Sequence, residues 1–204
     1  MIVIVDYGMG NLGSIVNMLK KVGAEATITS DKSVIERARK LILPGVGAFD
    51  NGMKNLNRLD LLTLLNRKAL EERIPVLGVC LGMQLLTKGS EEGDLPGLGW
   101  IDAETVKFRF DTANSSLKIP HMGWNSIKVK NHRALFEEMN DELRFYFVHS
   151  YYVRCNEESD ILATTHYGHE FTSSVMRDNI MGTQFHPEKS HKFGMKVFKN
   201  FINL

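Results

Sequence analysis

The first half of this chain alternates short, uninterrupted apolar runs with stretches whose apolar residues recur at helical spacing. Residues 2–5 (Ile2-Val3-Ile4-Val5) form such a run and end in a glycine-rich turn. Leu12, Ile15, Val16 and Leu19 follow at the spacing of one helix face. Residues 26–29 and 40–43 give two further strands. The second leads into Pro44-Gly45-Val46-Gly47, and Leu56, Leu61, Leu62, Leu64 and Leu65 then mark one or two helices. Residues 75–79 form a continuous apolar strand, with a helix expected from about Gly82. A strand that is apolar on both faces must be covered on both faces. Strands of this kind alternating with helices specify a mostly parallel sheet flanked by helices.

The second half has a different grammar. Residues 105–110, 126–130, 144–150, 161–166, 171–176 and 180–184 are short candidate strands separated by turn residues, a pattern that favours antiparallel pairing. An amphipathic helix carrying Phe193, Val197, Phe198 and Phe201 closes the chain. There is no repeat, low-complexity tract or linker, so residues 1–204 read as a single α/β domain.

Composition removes several function classes. A net charge of +1 gives no electrostatic basis for binding nucleic acid or an acidic membrane surface. No apolar run reaches the ~18 residues of a membrane span. The apolar N-terminus is too short for a secretory signal and lacks a basic flank. Cys80 and Cys155 are the only cysteines, too few for a disulfide framework and not spaced as a C-x-x-C pair. A cytoplasmic protein is expected.

One of those cysteines stands in a telling place. Gly78-Val79-Cys80-Leu81-Gly82 has the form G-x-C-x-G between an apolar strand and a helix. That is the setting of a nucleophile elbow, with cysteine in place of serine. The flanking glycines relieve a turn too sharp for side chains, and the sulfur is presented at the carboxyl edge of the sheet, where open α/β folds place their sites. The helix N-terminus there favours thiolate. The plain alternative is a small buried cysteine between two packing glycines. A cysteine nucleophile needs a base, and Gln184-Phe185-His186-Pro187-Glu188-Lys189-Ser190 offers one. Proline biases His186 toward an extended backbone, and alternate residues of an extended segment share a side, so His186 and Glu188 can project together. Glu188 can then orient the imidazole and stabilise its charge, as the acid of a catalytic triad does. Taken alone, His186-Pro187-Glu188 reads as a surface turn. Its coincidence with the cysteine motif is what argues against that reading.

These two motifs, Gly78-Val79-Cys80-Leu81-Gly82-Met83-Gln84 and Gln184-Phe185-His186-Pro187-Glu188, together resemble the class I (triad) glutamine amidotransferases, in the same order of cysteine, histidine and glutamate. Asp6-Tyr7-Gly8-Met9-Gly10-Asn11-Leu12, Pro44-Gly45-Val46-Gly47-Ala48-Phe49, Pro120-His121-Met122-Gly123-Trp124-Asn125 and Tyr146-Phe147-Val148-His149-Ser150-Tyr151 extend the likeness over the whole chain, toward the glutaminases of histidine biosynthesis. One departure is Gly13, where many members carry Arg or Asn. The resemblance implies the class I amidotransferase fold and a cofactor-free, metal-free Cys80–His186–Glu188 triad. It implies an oxyanion site from the backbone of Leu81 and the loop Gly45, Val46 and Gly47. It implies contacts to glutamine from Gln84, His149 and Ser150. It also implies a partner, a (β/α)8-barrel cyclase subunit forming a heterodimer, which receives the ammonia and meets this chain through Asn11, Trp124, Tyr146 and Lys189.

Other readings compete. Gly8-Met9-Gly10-Asn11-Leu12-Gly13 matches the G-x-G-x-x-G dinucleotide fingerprint, with Asp31 near the position of a ribose-binding acid. It leaves Cys80, His186 and Glu188 without a role. A cysteine peptidase of similar topology, a non-catalytic binding subunit, and a paralogous glutaminase serving another acceptor, such as an amidino-sugar pathway, are the remaining alternatives. His166 and His169 frame a Tyr-Gly turn and read as a hairpin tip rather than a metal site. Cys155 reads as structural or incidental. Glycines on both sides of Val46 let its peptide planes rotate at little steric cost, so the oxyanion loop is also a candidate switch.

Overall fold

The computed structural model describes residues 1–110, 116–140 and 142–204. Strand β1 (Ile2–Val5) is buried along its whole length and lies parallel to β2 (Ala26–Thr29) on one side and β3 (Lys40–Gly45) on the other. Next come β4 (Val76–Cys80), parallel to β3, and β12 (Ile180–Thr183), parallel to β4. The C-terminal strand thus enters the sheet directly beside the strand that ends in Cys80.

Beyond β12 the sheet turns antiparallel through β11 (His169–Arg177), β10 (Ile161–Tyr167) and β7 (Lys128–Val129). A branch of β9 (Tyr151–Cys155) and β5 (Ala103–Lys107) is attached at β11. A separate two-stranded sheet pairs β6 (His121–Ser126) with β8 (Arg144–His149). The expected division holds except at β12: residues 180–184, expected to pair antiparallel, do so with β11 but lie parallel to β4, so the last strand joins the first-half parallel sheet to the antiparallel strands.

The period-2 alternation of a strand sends the residues of β1 to two cores. Ile2 and Ile4 pack with Ile15 and Leu19 of α1 (Leu12–Lys21) and with Val197, Phe198 and Phe201 of α6 (His191–Asn203). Val3 and Val5 face the other way, toward Ile35 of α2 (Lys32–Glu36), Phe49 and Leu56 of α3 (Phe49–Arg58), and Leu64 and Leu65 of α4 (Leu62–Asn66). Helix α5 (Leu81–Leu85) packs on this second side. It begins at Leu81 rather than Gly82 and lasts only five residues.

Three elements were not expected from the sequence. Helix α2 is a short helix capped by Asp31, whose carboxylate accepts the Ser33 N–H at 2.7 Å. Strand β6 holds Gly123 and does not alternate cleanly. Strand β9 follows β8 with only Ser150 between them, because the chain changes sheets at that residue. The turn framed by His166 and His169 is a hairpin tip at Gly168, joining β10 to β11.

Candidate active site

Strand β4 ends at the carboxyl edge on Cys80, whose backbone takes φ 54° and ψ −110°. Few non-glycine residues adopt positive φ, and a residue held there between strand and helix marks a turn the surrounding structure enforces. The flanking glycine Gly82 shows why the turn needs this sequence. A Cβ there would lie 1.7 Å from the Leu43 carbonyl oxygen, so only glycine lets the elbow sit against β3.

Because β12 runs parallel to β4, with Thr183 beside Val79, the chain leaving β12 passes Cys80 at once. His186 is extended there, as expected, but residues Pro187–Lys189 then form a 3-10 turn instead of continuing extended. The turn, not strand alternation, brings Glu188 back onto the imidazole. Glu188 Oε1 lies 2.7 Å from His186 Nδ1, and both side chains are almost wholly buried. With Nδ1 on a carboxylate, Nε2 is the free position; it has no hydrogen-bond partner of good geometry among the described residues. Burial alone would lower the pKa of His186. The neighbouring Cys80 sulfur and the Glu188 carboxylate together outweigh it and raise the value above that of ordinary histidine. Ser190 locks the segment in place, its hydroxyl donating to the His186 carbonyl at 2.6 Å and accepting the Tyr146 N–H at 3.1 Å.

The other residues singled out from the sequence fall into three groups. Gly45 is the β3 neighbour of Cys80, so the Gly45-Val46-Gly47 loop starts beside the sulfur. Val46 is half exposed, Gly47 has φ 128°, and Leu81 opens α5 directly after Cys80. Gln84 and His149 are buried, and both donate to one group: Gln84 Nε2 to the Tyr151 carbonyl at 3.2 Å and His149 Nδ1 to the same carbonyl at 2.7 Å. Ser150 lies between His149 and Tyr151 in sequence, its own carbonyl accepting the Phe108 N–H. Trp124, Tyr146 and Lys189 gather on one surface. The Trp124 ring stands edge-on to Tyr146, and the Lys189 ammonium lies 5.6 Å from the Tyr146 ring centre. Asn11 caps α1, which packs against Pro187–Lys189, and its Oδ1 accepts the Ser14 N–H.

Four residues around the site stand in the quoted motifs but carry no individual role in the sequence reading. The Gln184 amide donates to Cys80 Sγ at 3.7 Å, and the Val148 carbonyl accepts from that sulfur at 3.9 Å. Tyr7 is wholly buried and donates its hydroxyl to the Pro44 carbonyl, its pKa pushed up by burial and by Cys80. His121 Nδ1 lies 3.0 Å from His149 Nε2. Gln184 carried a signal, since it stands two residues before His186 in an extended segment and so shares its side. The other three depend on strand pairings that no local pattern specifies. Asp31, the acid of the dinucleotide reading, is committed to capping α2.

An elbow cysteine beside a buried histidine–carboxylate pair, on a mostly parallel sheet extended by antiparallel strands, is the architecture of an amidotransferase-type α/β domain. The chain belongs to the class-I glutamine amidotransferases, whose family pattern matches residues 3–204. It is 58% identical to "Imidazole glycerol phosphate synthase subunit HisH 2" of Methanococcus maripaludis, over 99% of this chain and 98% of that protein. It is 52% identical to "Imidazole glycerol phosphate synthase subunit HisH 2" of Pseudomonas aeruginosa and 45% identical to "Imidazole glycerol phosphate synthase subunit HisH" of Leptospira interrogans, both over the full length of each chain. Among solved structures, "Crystal structure of glutamine amidotransferase" superposes with a TM-score of 0.75 at 22% identity, covering 98% of this chain and 97% of that one. That likeness speaks to the fold alone.

Proposed function

We propose that this chain is the glutaminase subunit of an imidazole glycerol phosphate synthase, releasing ammonia from glutamine for a cyclase subunit in histidine biosynthesis. The observation that carries the reading is the buried His186–Glu188 pair, with its free nitrogen beside the elbow sulfur of Cys80. Residues 1–204 act as one amidotransferase domain. Cys80 attacks the side-chain amide carbon, and a C–S bond forms. His186 delivers its proton to the departing nitrogen, and ammonia leaves. Water, deprotonated by His186, then attacks the thioester, and glutamate is released with the sulfur restored. The backbone N–H of Leu81 and one from the Gly45–Gly47 loop stabilise the oxyanion in both steps. Ser150 meets the substrate, while Gln84 and His149 hold its segment through the Tyr151 carbonyl.

Ammonia is a nucleophile only when unprotonated, so transfer through bulk water wastes it. The acceptor is therefore a docked partner: a (β/α)8-barrel cyclase subunit that meets Asn11, Trp124, Tyr146 and Lys189 and makes imidazole glycerol phosphate and an aminoimidazole carboxamide ribotide. The proposed assembly is cytoplasmic. Among the described residues no helix is long and apolar enough to cross a membrane. The test is glutamate release from free glutamine by the chain with its co-purifying partner. Absence of release, or release from peptides instead, overturns the reading. Two of the relatives are numbered 2 in their names. That numbering favours one second reading, a paralogous glutaminase feeding a different acceptor such as an amidino-sugar enzyme. A co-purifying partner that is not a cyclase would establish it.

A further inference from the structure

The orientation of two buried glutamine side chains beside Cys80 is fixed by a single carbonyl. A backbone carbonyl can only accept, so the Tyr151 oxygen, 3.2 Å from the Gln84 amide, must face its nitrogen. The same nitrogen lies 3.1 Å from Gln184 Oε1 and gives that oxygen its second hydrogen. With the Gln184 oxygen so engaged, its nitrogen faces Cys80 Sγ at 3.7 Å. Reversing either amide would oppose two acceptors or two donors. Gln84 is 5% exposed and Gln184 is fully buried, so water cannot take over either role.

The sulfur needs such a donor. The Val148 carbonyl can accept from a thiol but repels a thiolate. The Tyr7 hydroxyl adjoins Cys80 but is donated to Pro44. His186, hydrogen-bonded to Glu188, is the neighbour that can bring positive charge to the sulfur.

We propose that Gln184 is a further catalytic residue, whose side-chain N–H holds the Cys80 sulfur as thiolate, and that Gln84 is the positioning residue that aims it. The same N–H receives the sulfur when it leaves as thiolate from the thioester. That consequence for turnover rests on the glutaminase reading; the thiolate itself does not.

The test is the pH profile of Cys80 alkylation by iodoacetamide, read peptide by peptide with Cys155 as the internal comparison, together with glutamate release by the assembled enzyme. A hydrogen bond to a charged group is strong enough to move such a profile by about one pH unit. In Gln184→Leu the midpoint is expected to rise by about that much, with alkylation at neutral pH about tenfold slower. In Gln84→Met it is expected to rise by less. An unchanged midpoint in folded Gln184→Leu overturns the proposal. If Gln184→Leu does not fold, Gln84→Met decides: a rise supports the proposal and an unchanged or lowered midpoint overturns it. Shifted alkylation in an enzyme that never releases glutamate sinks the glutaminase reading and leaves the thiolate donor standing. Normal release with no shift does the reverse.

Discussion

Cys80, His186 and Glu188 divide one proton and one negative charge among three side chains, and each substitution isolates a different share. Cys80→Ala is expected to abolish glutamine-dependent synthesis by the assembled enzyme while ammonia-dependent synthesis survives, because in the proposed function the sulfur serves only ammonia release. Equal loss of both activities would refute that division. His186→Ala should cost at least the ~10²–10⁴ typical of a general acid–base group. Glu188→Gln should be milder, since it keeps a hydrogen-bonding partner at 2.7 Å but loses the charge. Its pH profile carries the sign of the effect. Glu188 helps raise the pKa of His186 above the ordinary value, so removing the carboxylate lowers it, and the alkaline limb of glutamine turnover moves to lower pH. An alkaline limb that stays in place shows that Glu188 does not set the imidazole's charge.

At the scale of elements, the legible parts were those a single element encodes. The apolar runs of β1, β3 and β4 have no polar side to expose, so their burial could be read directly, and Gly82 marked the elbow because no side chain fits there. Gly82→Ala drives a Cβ onto the Leu43 carbonyl, backbone against backbone with no flexible end to yield. It should destabilise the chain by ~1–3 kcal/mol or more, visible as a lowered Tm or loss of soluble protein. A wild-type Tm would contradict this packing. What could not be read depends on which strands meet. The β6–β8 register sets His121 opposite His149, and nothing in either segment announces the pair. The Tyr151 carbonyl accepts from His149 Nδ1, so His149 Nε2 must accept from His121, whose Nε2 accepts in turn from Asn125 at 3.2 Å. Both rings are therefore neutral, and burial depresses His149 to about 3 and His121 to about 4. Their unfolded value is near 6.5, so between about 6.5 and 4 the unfolded chain binds more protons than the folded one. Stability is full above this window and falls with pH through it, by up to ~1.4 kcal/mol per pH unit for each ring. His121→Gln/His149→Gln should lower Tm at neutral pH yet flatten its dependence between pH 6.5 and 4. A slope as steep as that of the wild type would place the proton uptake elsewhere.

For the whole molecule the question is how the proposed triad, buried as it is, would respond to an acceptor. The Gly45-Val46-Gly47 loop starts beside Cys80 and reaches the surface at Val46. Gly47 at φ 128° occupies a conformation that favours glycine, and glycines on either side of Val46 let the intervening peptide planes turn at little steric cost. A donor turned away from the oxyanion leaves the site incomplete, and loss of one such donor costs ~10²–10³ in rate in other enzymes. The surface that would sense the partner is close at hand. Lys189 follows Glu188 and lies over Tyr146, whose backbone holds the His186–Glu188 segment through the His186 N–H and Ser190. Glutaminase turnover is therefore expected to be low in the isolated chain, higher with the cyclase partner, and higher still when that partner carries its ligand. Measuring glutamate release in those three states decides the matter, and equal turnover in all three rules out the switch. If stimulation occurs and Lys189→Ala leaves it unchanged, the moving loop stands and the signal enters by another contact. If Lys189→Ala abolishes stimulation while basal turnover persists, the path from docking surface to triad runs through the Lys189–Tyr146 contact.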